Sequence, residues 1–336
     1  GGSLIPSSTS MRRFSARESG VALMKMVENN ITPSSIMTRE ALENAIILLS
    51  AIGGSLNALI HLPALAAELG IDLNWDDFSE ITSKTPVLCG IVPNGNKTVV
   101  DLHYAGGIPA VLKELESILH KDTITVSGAT MGEIVEKAVK GDPETIKSME
   151  NPISKADGIQ VLYGNLAPEG ALVKTSAVPM DVRVFEGTAK VFESEDECYA
   201  AFREKKIVPG DAVIVRYEGP KGGPGMKELH RITEIIKSIP NTAVITDGRF
   251  SGASGGLSIG YLCPEAAEGG PIALLKDGDK IKVDLYKGII HADITDAELA
   301  EREKNWKPLV REEEKGLLGR YAKSVNSART GATLKK

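Results

Sequence analysis

The feature that most constrains this chain is a change in its hydrophobic period. Up to about residue 140, apolar residues recur three and four positions apart; from residue 146 they come in short β-branched runs, and Gly141-Asp142-Pro143 marks the switch. The first spacing lines one stripe of a helix, whereas the second suits strands, so the chain is expected to hold two domains. Their predicted ranges are 1–145 and 146–336. In the first, Thr38-Arg39-Glu40 opens a helix in which Ala45, Leu48, Leu49 and Ile52 share a face, and Gly53-Gly54 stops it. A second helix is expected over 57–69, with Pro63 as a kink and Gly70 as its C-cap. Residues 111–119 form another amphipathic stretch, and Thr130-Met131-Gly132-Glu133 fits a capping box ahead of a helix over 133–140. In the second domain, strands are expected at 159–163, 212–217, 243–246 and 281–285. Turn signals such as Val208-Pro209-Gly210-Asp211 and Lys276-Asp277-Gly278-Asp279 separate them. Helices are expected only at 194–204, 228–237 and 296–306. The fold class is therefore α/β: a partial α/β N-terminal domain followed by a β-rich, barrel-like C-terminal domain.

Charge and length exclude several functions. Lys+Arg 39 against Asp+Glu 45 gives a net charge of −6 without a basic stripe, which argues against nucleic acid as a partner. The longest apolar runs, such as 45–49, are far too short to span a bilayer, and no charged segment precedes an apolar one at the N-terminus. No membrane association and a cytoplasmic location are expected. The three cysteines, Cys89, Cys198 and Cys263, form no CxxC pair and read as packing residues rather than a disulfide framework or metal knuckle.

Two glycine-rich loops follow strand-like runs. The first, Glu218-Gly219-Pro220-Lys221-Gly222-Gly223-Pro224-Gly225-Met226, leads into a helix whose first turn carries Glu228. Backbone N–H groups freed at a helix start favour an anion, and a carboxylate there can face a cation; a plain structural turn is the competing reading. The loop lacks the G-K-[ST] ending of a nucleotide-binding P-loop. In the second loop, Thr246-Asp247-Gly248-Arg249-Phe250-Ser251-Gly252-Ala253-Ser254-Gly255-Gly256, a Ser followed by Gly leaves Oγ of Ser251 sterically open. Arg249 supplies a cation able to hold a carboxylate or lower the Ser pKa, and a glycine-rich turn with a capping Ser is equally compatible. No G-x-S-x-G elbow is present, which weakens a hydrolase reading. The five histidines form no H-x-H or H-x-x-x-H pair, and only His230, two residues from Glu228, lies close to a candidate site in sequence.

Taken together, these segments resemble the dihydroxy-acid/6-phosphogluconate dehydratase family. The resemblance rests on Leu4-Ile5-Pro6-Ser7-Ser8, Thr38-Arg39-Glu40-Ala41-Leu42-Glu43-Asn44-Ala45, Gly53-Gly54-Ser55-Leu56-Asn57 and Gly164-Asn165-Leu166-Ala167-Pro168. Both glycine-rich loops and Pro264-Glu265-Ala266-Ala267-Glu268-Gly269-Gly270-Pro271 extend it over the whole chain. It implies a swivelling-type barrel and a hydro-lyase that turns a 2,3-dihydroxy acid into a 2-keto acid, as in branched-chain amino-acid biosynthesis. Sugar-acid (aldonate) and 6-phosphogluconate dehydratases are the alternatives within the family, and a non-catalytic binding module is the alternative outside it. The family pattern makes Ser251 the base that removes the C2 proton and Glu228 a Mg²⁺ ligand, with Arg249 and Ser254 as substrate-binding candidates. It also implies an Fe–S cluster acting on the departing hydroxyl, and a homo-oligomer of two or four copies. Cluster cysteines, further Mg²⁺ carboxylates and a carbamylated lysine belong to a segment expected ahead of Gly1. This chain carries no Fe–S ligands and is expected to be an inactive fragment by itself. Leu56 stands where the family usually has Thr.

Overall fold

The computed structural model describes residues 4–156, 158–251, 254–309 and 316–335. The chain divides into two units: residues 1–54, 68–73 and 80–158, and residues 55–67, 74–79 and 159–336. Hydrophobic period places a single division near 146, but period reports the type of an element and not the unit it joins. The short stretches 55–67 and 74–79 belong to the second unit.

The helices of the first half are α1 (Ser10–Glu28), α2 (Pro33–Ile36), α3 (Arg39–Ala51), α4 (Ala58–Leu69), α5 (Trp75–Lys84), α6 (Val99–Tyr104), α7 (Gly107–Glu114) and α8 (Met131–Lys137); α4 and α5 each straddle the division. Their starts follow the cap chemistry written in the sequence. Thr38 Oγ1 accepts from the backbone N–H of Ala41 at 3.3 Å, and Thr130 and Glu133 form the expected reciprocal box. Gly70, just past α4, takes the left-handed φ of +70° that ends a helix without a Cβ clash. In the first unit, Ile47 and Ala51 pack with Leu102, Val111, Leu115 and Val135. Among the described residues no helix is long and apolar enough to cross a membrane.

The second unit is built on a closed barrel of eight strands: β1 (Gln160–Gly164), β2 (Ala167–Val173), β3 (Val184–Phe192), β4 (Asp211–Val215), β5 (Ala243–Thr246), β6 (Leu257–Cys263), β7 (Lys280–Asp284) and β8 (Ile289–Ala292). Around the barrel the order is β1-β2-β6-β5-β4-β3-β7-β8. Strands β3, β4, β5 and β6 run parallel, β2 and β7 flank them antiparallel, and β8 closes onto β1 through Tyr163 and Ile289. A parallel neighbour requires a crossover. Helix α9 (Glu195–Arg203) makes the one between β3 and β4, and α10 (His230–Ile236) the one between β4 and β5. Strand alternation sorts the side chains. Ala212, Ile214, Ala243 and Ile245 fill the barrel, while Val213, Val215 and Val244 pack outward against Cys198, Ala201, Leu229 and Ile232. Such strands are buried on both faces and so read as unbroken apolar runs. Two further helices, α11 (Asp296–Asn305) and α12 (Gly316–Ser324), follow the barrel.

Candidate active site

Strands β4 and β5 are adjacent and parallel, pairing from Ala212 with Ala243 to Val215 with Thr246. Their carboxyl ends therefore lie side by side, the position where open α/β sheets place ligands. Both glycine-rich loops leave from there. The first is held by two buried carboxylates. Asp247 accepts from the backbone N–H groups of Tyr217 and Glu218 at 3.0 Å each and of Ala266 at 2.9 Å. Glu265 accepts from Gly222 N–H at 2.8 Å and Lys221 N–H at 3.0 Å. The fit leaves no room for side chains at two glycines. A Cβ on Gly219 would come within 2.6 Å of Glu265 Oε2, and one on Gly248 within 2.7 Å of Glu218 Cβ. Burial raises both acids, Asp247 to about 6 and Glu265 to about 8; the charge of Glu218 adds to the rise of Asp247, and that of Asp247 to the rise of Glu265.

The end of this loop meets the start of the second. Glu228 and Arg249 pair as a parallel bridge, and Leu229 N–H donates to Arg249 O at 2.8 Å. Arg249 Nε donates to the carbonyl of Met226 at 2.6 Å, which pins the turn before Glu228. Asn57 is the hub of the cluster. Its Nδ2 donates to Glu228 Oε1 at 2.8 Å, and its Oδ1 accepts from the Tyr261 hydroxyl at 2.7 Å and from Arg249 Nη1 at 3.3 Å. Tyr261 is fully buried, and burial pushes its hydroxyl pKa up. Glu228 Oε2 lies 3.4 Å from Nε2 of the exposed His230.

Ser251 and Ser254 lie further along the second loop, in a small cavity also lined by Lys174, Ala177, Phe250 and Ser258, with Ser55 and Leu56 at its wall. Phe250 anchors this part of the loop in the outer apolar cluster. Ser254 Oγ is buried there without a hydrogen-bond partner among the described residues. Lys174, just past β2, has its pKa lowered to about 8 by burial. Gly252 and Ala253 of the predicted loop lie outside the described residues.

Of the four residues singled out by sequence, Glu228 and Arg249 are brought together directly, and Ser251 and Ser254 share the neighbouring cavity. Leu56 and Asn57, consecutive in sequence, reach one cluster each. Three functional-looking residues were missed. Asn57 was read only as part of a motif, and nothing local marks Lys174 or Tyr261, whose places depend on strand pairing. Among the described residues no group of three or more His, Cys, Asp or Glu is arranged to hold a metal ion. Glu228 alone offers a hydrogen-bonded carboxylate with a second oxygen, which fits one position in a Mg²⁺ shell of oxygen ligands but not a whole one. Cys89, Cys198 and Cys263 do not fit an Fe–S cluster. Each is buried, Cys198 and Cys263 in different parts of the barrel unit and Cys89 in the core of the other unit. Burial pushes every one of these thiols up to about 12.

The fold and its loops define an α/β protein whose mixed barrel carries two glycine-rich loops at adjacent strand ends. The chain belongs to the dihydroxy-acid/6-phosphogluconate dehydratase family: the C-terminal family model matches residues 144–332 and the N-terminal one residues 1–134. Similar proteins include the dihydroxy-acid dehydratase of Acetivibrio thermocellus, 48% identical over 339 residues, covering 99% of this chain and 61% of the relative. That of Ignicoccus hospitalis is 47% identical with the same coverage. That of Pyrococcus furiosus is 48% identical over 325 residues, covering 95% of this chain and 59% of the relative. The chain thus spans about three-fifths of the length of the relatives it matches.

Proposed function

We propose that this chain carries the proton-abstracting part of a hydro-lyase that converts a 2,3-dihydroxy carboxylic acid into a 2-keto acid. What supports this reading is a single juxtaposition. The Asn57 amide holds Glu228 at 2.8 Å, while the residue before it, Leu56, walls the cavity of Ser251. A carboxylate suited to a cation and a hydroxyl suited to a proton thus meet along one short segment. The relatives' shared name, dihydroxy-acid dehydratase, supports the same reaction class.

In this reading Ser251 Oγ takes the C2 proton of the substrate, and the electrons left at C2 expel the C3 hydroxyl. The resulting enol tautomerises to the keto acid. Glu228 is one ligand of Mg²⁺, and that ion when bound supplies positive charge to the substrate carboxylate, which acidifies the C2 proton. Asn57 orients Glu228 and ties it to Arg249 and Tyr261, which fixes the carboxylate relative to the Ser-bearing loop. Arg249 and Ser254 complete the substrate pocket, Ser254 through its unpartnered buried hydroxyl. The family resemblance implies an Fe–S cluster as the acid acting on the leaving hydroxyl. The three thiols of this chain do not fit one, and none of these steps runs through it.

The test is turnover by the holoenzyme that contains this chain, offered a branched 2,3-dihydroxy acid, an aldonate and 6-phosphogluconate side by side. The dihydroxy acid should give the highest kcat/KM. Glu228→Gln should raise the Mg²⁺ concentration needed for half-maximal activity and raise KM with it, because one charge leaves the ion's shell. Unchanged Mg²⁺ dependence would remove Glu228 from the metal site.

A further inference from the structure

The proposed reaction needs a strongly basic Oγ, and a serine in water is far too weak an acid to supply an alkoxide near neutral pH. Some group must accept its proton. Lys174 sits in the same small cavity as Ser251, and no carboxylate pairs with its amine among the described residues. Of the carboxylates on the elements around the cavity, Glu169 and Asp181 are exposed and Asp247 is turned to the backbone N–H groups of Tyr217, Glu218 and Ala266; the other charged groups are cations. Arg183 donates to the carbonyls of Thr175 and Val178, the Lys237 stem packs at Gly255, and Arg249 is bonded to Met226 and Asn57. The remaining cavity wall is hydroxyls and apolar groups: Ser55, Leu56, Ala177, Phe250, Ser254, Gly256 and Ser258. No carboxylate lines the cavity to pair with an ammonium. Burial lowers the Lys174 pKa to about 8, so the neutral amine is present in useful amount near neutral pH.

We propose that Lys174 is a positioning residue for proton abstraction, its neutral amine accepting the Ser251 hydroxyl proton across the shared cavity as Oγ takes the C2 proton of the substrate. This rests on Ser251 being the base. The protons balance. The Ser251 O–H bond breaks and an N–H bond forms at Nζ while the C2–H bond breaks and Oγ regains a proton. The ammonium then loses its proton to solvent, the hydroxide expelled from C3 gains one and leaves as water, and the free amine returns. No oxidant or further reactant is required.

Two measurements test it. In the holoenzyme that contains this chain, competitive acetylation across pH 6–11, read at Lys174 by peptide mass spectrometry, should give a midpoint near 8. A midpoint at the ordinary value of about 10.4 overturns the proposal. In the holoenzyme that contains this chain, exchange of the substrate C2 hydrogen with solvent and the pH profile of kcat/KM are compared for wild type, Lys174→Met, Lys174→Arg and Ser251→Ala. Lys174→Met should slow exchange by ~10²–10⁴-fold and abolish the rise of kcat/KM through pH 8, with little change in KM. Lys174→Arg should fail equally, because a guanidinium stays protonated. Full rescue by Arg would mean that the cavity needs only a fixed cation, and the relay would be wrong. Retained exchange in Lys174→Met alongside its loss in Ser251→Ala sinks the relay alone. Retained exchange in Ser251→Ala sinks the base assignment and the relay with it. If Lys174→Met does not fold, the acetylation midpoint and the Lys174→Arg profile still decide.

Discussion

Replacing Asn57 by Ala tests whether the hub that joins Glu228, Arg249 and Tyr261 stabilises the barrel unit. The substitution removes the acceptor of the Tyr261 hydroxyl (2.7 Å) and of Arg249 Nη1 (3.3 Å), and the donor to Glu228 Oε1 (2.8 Å). Tyr261 is fully buried, so its orphaned hydroxyl loses about 1–3 kcal/mol. The bond to the partly exposed Glu228 adds about 1 kcal/mol, giving a total of roughly 2–4 kcal/mol. Tyr261→Phe removes one bond without stranding a donor and should cost only about 0.5–1.5 kcal/mol. The double variant should then be less destabilised than the sum of the singles by about 1 kcal/mol, since no hydroxyl is left to strand. Urea titration followed by tryptophan fluorescence reads the correct unit, because both tryptophans, Trp75 and Trp306, belong to it. A loss below about 0.5 kcal/mol for Asn57→Ala, or strict additivity with Tyr261→Phe, would refute the hub.

The carboxylates holding the first glycine-rich loop make stability depend on pH. Folding raises Asp247 to about 6 and Glu265 to about 8, so the folded chain keeps protons that the unfolded chain releases near pH ~4. Their contribution is full below that pH and falls as pH rises through 6 and 8; Glu265→Gln should flatten the decline between pH 5 and 8 in urea titrations, and an unchanged slope would remove Glu265 as its source. With the thiols of Cys89, Cys198 and Cys263 pushed up to about 12, none should react with an aromatic disulfide reagent at pH 8 in the native chain, and all three should react in urea. Anaerobic reconstitution of this chain alone should leave it without iron and sulfide, and stoichiometric incorporation would show that these thiols can gather around a cluster after all.

Much of the fold and part of the site were legible in the sequence. Strands β4 and β5 were readable because burial on both faces makes them continuous apolar runs, and α3 and α8 because Thr38 and Thr130 announce their starts. Strand β2 was hidden by Pro168 and Gly170, and α12 by Gly316 and Gly319, residues that weaken any propensity signal. Glu228, Arg249 and Ser251 stood out because glycine-rich loops after strands expose what they carry. Asn57 did not, since its partners lie 171, 192 and 204 residues away and only barrel closure brings them to it. Lys174 follows an antiparallel strand, and its cavity exists only because the second loop crosses from the carboxyl end of β5 to the amino end of β6. Local pattern carries no trace of that return path.

Solvent exchange at C2 reads whether Ser251 takes the C2 proton. The holoenzyme containing this chain is incubated in deuterated buffer with a 2,3-dihydroxy acid, and the C2 position of recovered substrate is followed by NMR for wild type and Ser251→Ala. Deuterium should appear at C2 in the wild type, and exchange should fall by at least ~10²–10⁴-fold in the variant, with Mg²⁺ affinity and fold unchanged. Near-normal exchange in Ser251→Ala would contradict that role for Ser251 and move the base to another group.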